Sequence, residues 1–128
     1  MRAGFWRTTV ILAAGLLMAT TVAGQNVVNP GTVSFTCSPD HAAIDSYTLG
    51  VFTSSTATTP TWTVTLGKPT PDTTNTCTVA VNFQPLVWGT AYVGRVWAVA
   101  GVVSGERSDV SNPFDRSPGK PGGPTIKK

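Results

Sequence analysis

Side chains that commonly carry out chemistry are few in this chain, and His41 is its only histidine. It directly follows Asp40, and Ser38 lies two positions further upstream. A Ser-His-Asp catalytic set would need a strained nucleophile turn and an oxyanion site, and neither is visible around these residues. We therefore interpret Asp40 and His41 as polar residues of a turn between strands, and we predict no catalytic residues and no enzymatic activity.

Metal and cofactor sites are also poorly supported by the sequence. One histidine and two cysteines without CxxC-type spacing do not form a typical zinc ligand set. Asp40 and Asp45 have no further acidic neighbours of the kind that calcium sites use. A glycine-rich loop that could cradle a phosphate is also missing from the sequence. We predict that the chain holds no metal and no cofactor.

The middle of the chain alternates apolar with polar residues, which is the pattern of half-buried strands. Thr and Val are abundant there, and β-branched residues favour extended structure over helix. The apolar rows lie at 33–37, 47–51, 62–66, 77–83 and 92–100, with an edge strand near 27–32 and a last short strand within 102–111. The sequence therefore predicts an all-β domain of seven short antiparallel strands, arranged as a Greek-key sandwich.

A Gly-Thr turn precedes the fifth of these strands. Gly89 and Thr90 form the turn, Leu86 lies before it, and Tyr92 stands at the mouth of the strand. A tyrosine in that position can lay its ring on the core and return its hydroxyl to nearby backbone, which is the tyrosine corner of Greek-key sandwiches. We predict a structural role for these four residues.

The first 24 residues have the pattern of a secretory signal peptide. Arg2 and Arg7 precede an apolar run over 10–18 and small residues over 19–24. A run of about ten apolar residues is too short to span a bilayer, which needs roughly twenty. We expect cleavage after Ala23 or Gly24, no membrane span, and a mature protein that is secreted, or periplasmic if the source is a Gram-negative bacterium.

Residues 116–128 are rich in proline, glycine and lysine, and we predict a disordered tail after a domain at 25–115. The tail has four cations and no anions, whereas 25–115 has three cations and six anions, a formal charge of −3. The net charge of +3 for the whole chain thus comes from its two ends. Because the domain has no basic stripe, we predict no nucleic-acid partner.

Several segments together resemble the fibronectin type III pattern. They are Val33-x-Phe35-x-Cys37-x-x-Pro-Asp, Ile44-Asp-Ser-Tyr47-x-Leu49, Leu86-x-x-Gly89-Thr90-x-Tyr92-x-x-x-Val96-x-Ala98, and Gly105-Glu-Arg-Ser108. The resemblance covers about residues 26–114. It implies two packed antiparallel sheets, three strands against four, with no shared catalytic residues and a role in adhesion, spacing or ligand binding. Cys37 and Trp88 depart from the pattern, because the family usually has tryptophan and proline there.

The same resemblance places the strands of Cys37 and Cys77 side by side in one sheet. Both cysteines belong to inward rows, and directly opposed residues of neighbouring strands come within reach of a disulfide. In an exported chain this implies a Cys37–Cys77 disulfide. Two buried free thiols are the alternative.

The outward row of the fifth strand is a candidate binding face. It consists of Val93, Arg95, Trp97 and Val99. Trp and Arg are enriched at interface centres, and the resemblance makes this strand central in its sheet. The alternative is that sheet neighbours and the Arg95 stem shield Trp97. The loop that contains Glu106 and Arg107 is a second candidate.

Taken together, these features predict a secreted non-catalytic binding or structural module, with an extracellular protein or saccharide surface as partner. A secreted effector or inhibitor that blocks an extracellular enzyme through its loops is the alternative. A sugar-binding accessory domain ranks third, because it needs a row of exposed aromatic side chains and only Trp97 and Trp88 are available.

Overall fold

The computed structural model describes residues 25–128, so the predicted signal peptide lies outside the described residues. The strands are β1 (Val27–Val28), β2 (Thr32–Thr36), β3 (Ser46–Phe52), β4 (Trp62–Gly67), β5 (Thr76–Ala80), β6 (Val93–Ala100), β7 (Val103–Ser104) and β8 (Phe114–Asp115). A single 3-10 turn, His41–Ala43, is the helical element of this range, in which no helix has the length and apolar character needed to cross a bilayer. The prediction of an all-β fold is confirmed.

Two antiparallel layers enclose the core. Four strands form one sheet in the order β4-β3-β6-β7, and β2 pairs with β5 to form the second layer. Their inward rows meet in one cluster, in which the rings of Phe35 and Tyr47 lie 4.8 Å apart. Burial of a side chain such as Leu49, which is 3 % exposed, contributes about 1.5–3 kcal/mol to stability.

The strand count and the pairing at the chain ends differ from the sequence prediction. Residues 25–128 form eight strands instead of the predicted seven, and β1 pairs in parallel with β8 through Val27 and Phe114. The predicted edge strand at 27–32 is interrupted because Asn29 has a positive φ of 53° and Pro30 has no N–H to donate. After pairing with β8 through β1, the chain therefore continues into β2 without forming a strand along the edge of β2.

The predicted last strand at 102–111 is regular only in β7, and the chain then runs along β6 with a different period. The backbone N–H groups of Gly105, Ser108, Ser111 and Phe114 donate to the carbonyls of Ala98, Val96, Gly94 and Tyr92. The hydrogen bonds thus recur every three residues along this segment and every two residues along β6 and Tyr92. The hydroxyls of Ser108 and Ser111 accept the N–H groups of Val96 and Gly94, the acceptor role that carbonyls have in a regular ladder. We call residues 105–112 the serine segment.

The disulfide between Cys37 and Cys77 is present, with the Cα atoms 5.4 Å apart. The two residues are not directly opposed as predicted. Phe35 faces Cys77 in the β2–β5 ladder, and the Cys37 N–H donates to the Asn75 carbonyl, so the bridge runs diagonally. A link across a separation of 40 residues stabilises the fold by about 4 kcal/mol through the entropy of the unfolded chain.

Candidate functional site

The candidate binding face on β6 is largely covered. Each of its four residues is half-buried, and Trp97 lies across Gly50 of β3. A Cβ atom at Gly50 would be 2.7 Å from the ring carbons of Trp97, so the absence of a side chain there makes room for the ring. On its other side, the Arg107 guanidinium carbon lies 5.0 Å from the Trp97 ring centroid. The row thus lies on the outward face of β6, and the contacts of Trp97 fit the alternative in which its neighbours shield it, with Arg107 rather than the Arg95 stem lying on the ring.

Two arginines hold loops over this same face. Arg107 also lies 5.3 Å from the ring of Phe52, which is fully buried, and its Nη1 donates to the Thr58 carbonyl at 2.7 Å. Arg95 donates to the carbonyls of Ser108 and Ser55. Cation–π contacts of this kind are worth about 0.5–1 kcal/mol at exposed sites. In the sequence-based proposal Arg107 belonged to a binding loop, whereas here its guanidinium packs on aromatic rings; the neighbouring Glu106 is exposed.

The residues predicted to form the tyrosine corner lie together at the start of β6. The ring of Tyr92 is buried and lies 5.9 Å from that of Phe114, with Leu86 also buried. Gly89 adopts a positive φ of 78°, and its N–H donates to the Arg116 carbonyl, while Thr90 is half-buried. Among residues 25–128 the Tyr92 hydroxyl has no hydrogen bond to backbone, whereas the Tyr92 backbone pairs with that of Phe114. The neighbouring Trp88 is 59 % exposed.

His41 lies against the disulfide rather than in an open turn. Its Nδ1 is 2.8 Å from the Tyr47 hydroxyl, which also accepts the Ser38 N–H at 2.9 Å. A ring nitrogen of His41 and the sulfurs of Cys37 and Cys77 lie within 4.8 Å of one another. Both sulfurs are bonded to each other, so they do not offer thiolate ligands to a metal ion. Tyr47 and His41 close this end of the core around the disulfide.

A cleft of about 860 Å³ opens between β2 and the serine segment. We call it the edge cleft. Val33 and Phe35 line one side, and the Val96 and Ala98 row of β6 lines the other. The core residue Phe114 also lines the cleft. Although these four residues of β2 and β6 belong to inward rows, they are only half-buried. The cleft therefore exposes the interface between the two layers along one side of the molecule.

The edge cleft was not predicted from the sequence. One signal was available: if the leader is removed at residue 24, only residues 25–31 precede β2, and these must also reach β8. Too little chain then remains for a strand that runs the length of β2. The alternation pattern predicted which residues point inward, but not whether a neighbouring strand covers them.

No family model, curated protein or solved structure matches this chain at a significant level.

Proposed function

We propose that this chain is an exported, non-catalytic binding module with a fibronectin type III-like sandwich fold, and that it holds an extracellular protein partner in the edge cleft. The observation that carries the proposal is the cleft itself, an opening of about 860 Å³ that exposes apolar core residues. Concave apolar sites with a few polar groups are the usual form of a binding site.

Strand order supports the sandwich part of the proposal. The order β4-β3-β6-β7 opposite β2–β5 agrees with the four-stranded layer and with two of the three strands of the second layer that the resemblance implies. The third strand of that layer would lie beside β2, where the edge cleft is found. A fibronectin type III-like module that lacks this strand accounts for both the fold and the opening.

The disulfide and the leader pattern support export. Disulfides form and persist in oxidising compartments, and Cys37 and Cys77 are linked and buried. The charged, apolar and small-residue regions over 1–24 have the order of a signal peptide.

A photo-crosslinking experiment in the native host tests both parts. We would place a photoreactive phenylalanine analogue at Thr36, which is exposed on β2 at the cleft, and as a control at Thr63, which is exposed on β4 away from it. We expect the protein in the medium or periplasm to begin near Gln25, and a protein adduct to form from Thr36 only. Retention of residues 1–24 on a cytoplasmic protein would contradict export. Equal adducts from both positions, or none from Thr36, would contradict binding in the cleft.

A further inference from the structure

We propose that the edge cleft binds an extended, basic peptide segment of a partner protein, which adds as a strand to the free edge of β2. This inference rests on the proposed function and names the chemistry of its partner. Three features of the cleft argue for it: unpaired backbone groups on β2, an apolar interior, and an acidic rim.

The outer edge of β2 presents backbone hydrogen-bonding groups without partners among the described residues. Gly31 and Cys37, which flank β2, pair with Val81 and Asn75, which flank β5. The odd-numbered residues of β2 therefore point their N–H and C=O groups toward β5. The even-numbered residues point theirs the other way. Thr32, Ser34 and Thr36 thus offer three donors and three acceptors toward the cleft. Such an edge is a template for an added strand.

The interior of the cleft suits alternate side chains of that strand. Side chains of neighbouring strands point to the same face where the residues are opposed, so every second residue of an added strand would point inward beside Val33 and Phe35. The surfaces it would meet there are the half-buried Val96 and Ala98 and the aromatic ring of Phe114. We therefore expect apolar residues at alternate positions of the bound peptide.

The charge of the cleft's rim indicates which residues suit the remaining positions of the bound peptide. Asp40, Glu106 and Asp109 line the cleft, and the lining residues within 25–128 include no lysine, arginine or histidine. All three acids are exposed. Opposite charge across an interface accelerates association and discriminates against partners of like charge. An extended peptide that alternates apolar with basic residues therefore fits the edge, the interior and the rim together.

To test the proposal, the native, disulfide-bonded protein is titrated with a synthetic octapeptide of four Lys-Val repeats, and the amide resonances of β2 are followed by NMR. We expect saturable shifts at Ser34 and Thr36, and weaker binding at higher salt because the rim is exposed. Octapeptides of four Glu-Val or four Thr-Val repeats serve as charge controls. Replacement of Glu106→Gln or Asp109→Asn should weaken binding roughly threefold for each charge removed.

Two variants at one position separate strand addition from simple contact. Ser34→Pro removes an N–H that faces the cleft and should weaken binding by about tenfold or more. Ser34→Ala removes only the hydroxyl that contacts Thr78, and should leave binding unchanged. Since Ser34→Pro could unfold the domain, a Lys-Val peptide with N-methylated backbone on the wild-type protein provides a second measure, and it should not bind.

Each other outcome overturns a defined part of the argument. Equal affinity for the Thr-Val or Glu-Val peptide would contradict the basic partner and leave the cleft as a peptide site. Binding of the Lys-Val peptide that ignores N-methylation and Ser34→Pro would contradict strand addition. A native protein that is already dimeric, with Ser34 and Thr36 amides protected before any peptide is added, would assign the cleft to a second copy of the chain. Absence of a cleft adduct in the native host would contradict the proposed function, whichever peptide binds in vitro.

Discussion

Asp72 organises the turn that leads into β5 and so to the disulfide. Its Oδ1 accepts the N–H groups of Thr74 and Thr76 and the Thr74 hydroxyl, at 2.8–2.9 Å. Asn75, at the same turn, adopts a positive φ of 61° and accepts the Cys37 N–H. The hydrogen bonds to Asp72 lower the pKa of its carboxyl from the ordinary value of 3.8, and the bond from the Thr76 backbone contributes most.

A lowered pKa makes the contribution of Asp72 to stability dependent on pH. The carboxylate stabilises the folded state above pH 3.8, and this contribution disappears as the pH falls through the lower pKa of the folded protein. We expect Asp72→Asn to lower the melting temperature near neutral pH, and the gap to wild type to close in strong acid. Thermal denaturation of both proteins across this pH range measures the gap. Thr74→Val, which removes one of the three bonds to the same oxygen, should show a smaller gap; a gap that is constant with pH would contradict the argument.

The serine segment completes the hydrogen bonds of β6 without being a regular strand. Gly94 of β6 is buried, and its N–H donates to the Ser111 hydroxyl at 2.8 Å, while the Ser111 N–H donates to the Gly94 carbonyl. Ser108 makes the same pair of bonds with the more exposed backbone of Val96. In both cases one side chain takes over the acceptor role of a backbone carbonyl.

Removal of the Ser111 hydroxyl should be costly for that reason. Ser111→Ala leaves the buried Gly94 N–H without an acceptor, which costs about 1–3 kcal/mol, and Ser108→Ala should cost less because water can reach the Val96 N–H. Urea unfolding of both variants gives the two differences in free energy. Ser117→Ala, at an exposed position beyond β8, is the matched control. A Ser111→Ala protein as stable as this control would show that the hydroxyl is not needed.

The elements also show which features the sequence could predict. The inward positions of Tyr47, Leu49 and Cys77 follow from a two-residue alternation, and all three are buried. The serine segment has a three-residue period, which a search for alternation cannot find. The cover over Trp97 depends on Gly50 and on an arginine that arrives from a distant loop, so no local pattern contains it. Contacts between remote segments are where sequence reasoning failed.

The outer face of the four-stranded sheet and the free edge of β2 are covered to different extents. On the outer face of the four-stranded sheet, arginines bring loops over Phe52 and Trp97. Along β2 no described strand lies outside the β2–β5 pair, and the core opens into the edge cleft. Edge strands are usually protected because they pair readily with other chains. An edge left open beside apolar residues is therefore consistent with use in binding.

Hydrogen exchange in the unbound protein can detect this asymmetry residue by residue. The Phe35 N–H faces β5 and is paired there, so it should exchange only when β2 and β5 separate. The N–H groups of Ser34 and Thr36 face the cleft and should exchange faster, by on the order of a hundredfold or more. Deuterium exchange followed by NMR on a dilute sample measures all three amides of one strand. Because the residues are neighbours, any motion of β2 as a whole would affect them equally, so a difference that remains after each rate is divided by its intrinsic exchange rate reports on pairing. Protection of Ser34 and Thr36 equal to that of Phe35 would mean that the edge is covered in the free protein, and a partner strand would have no place to bind.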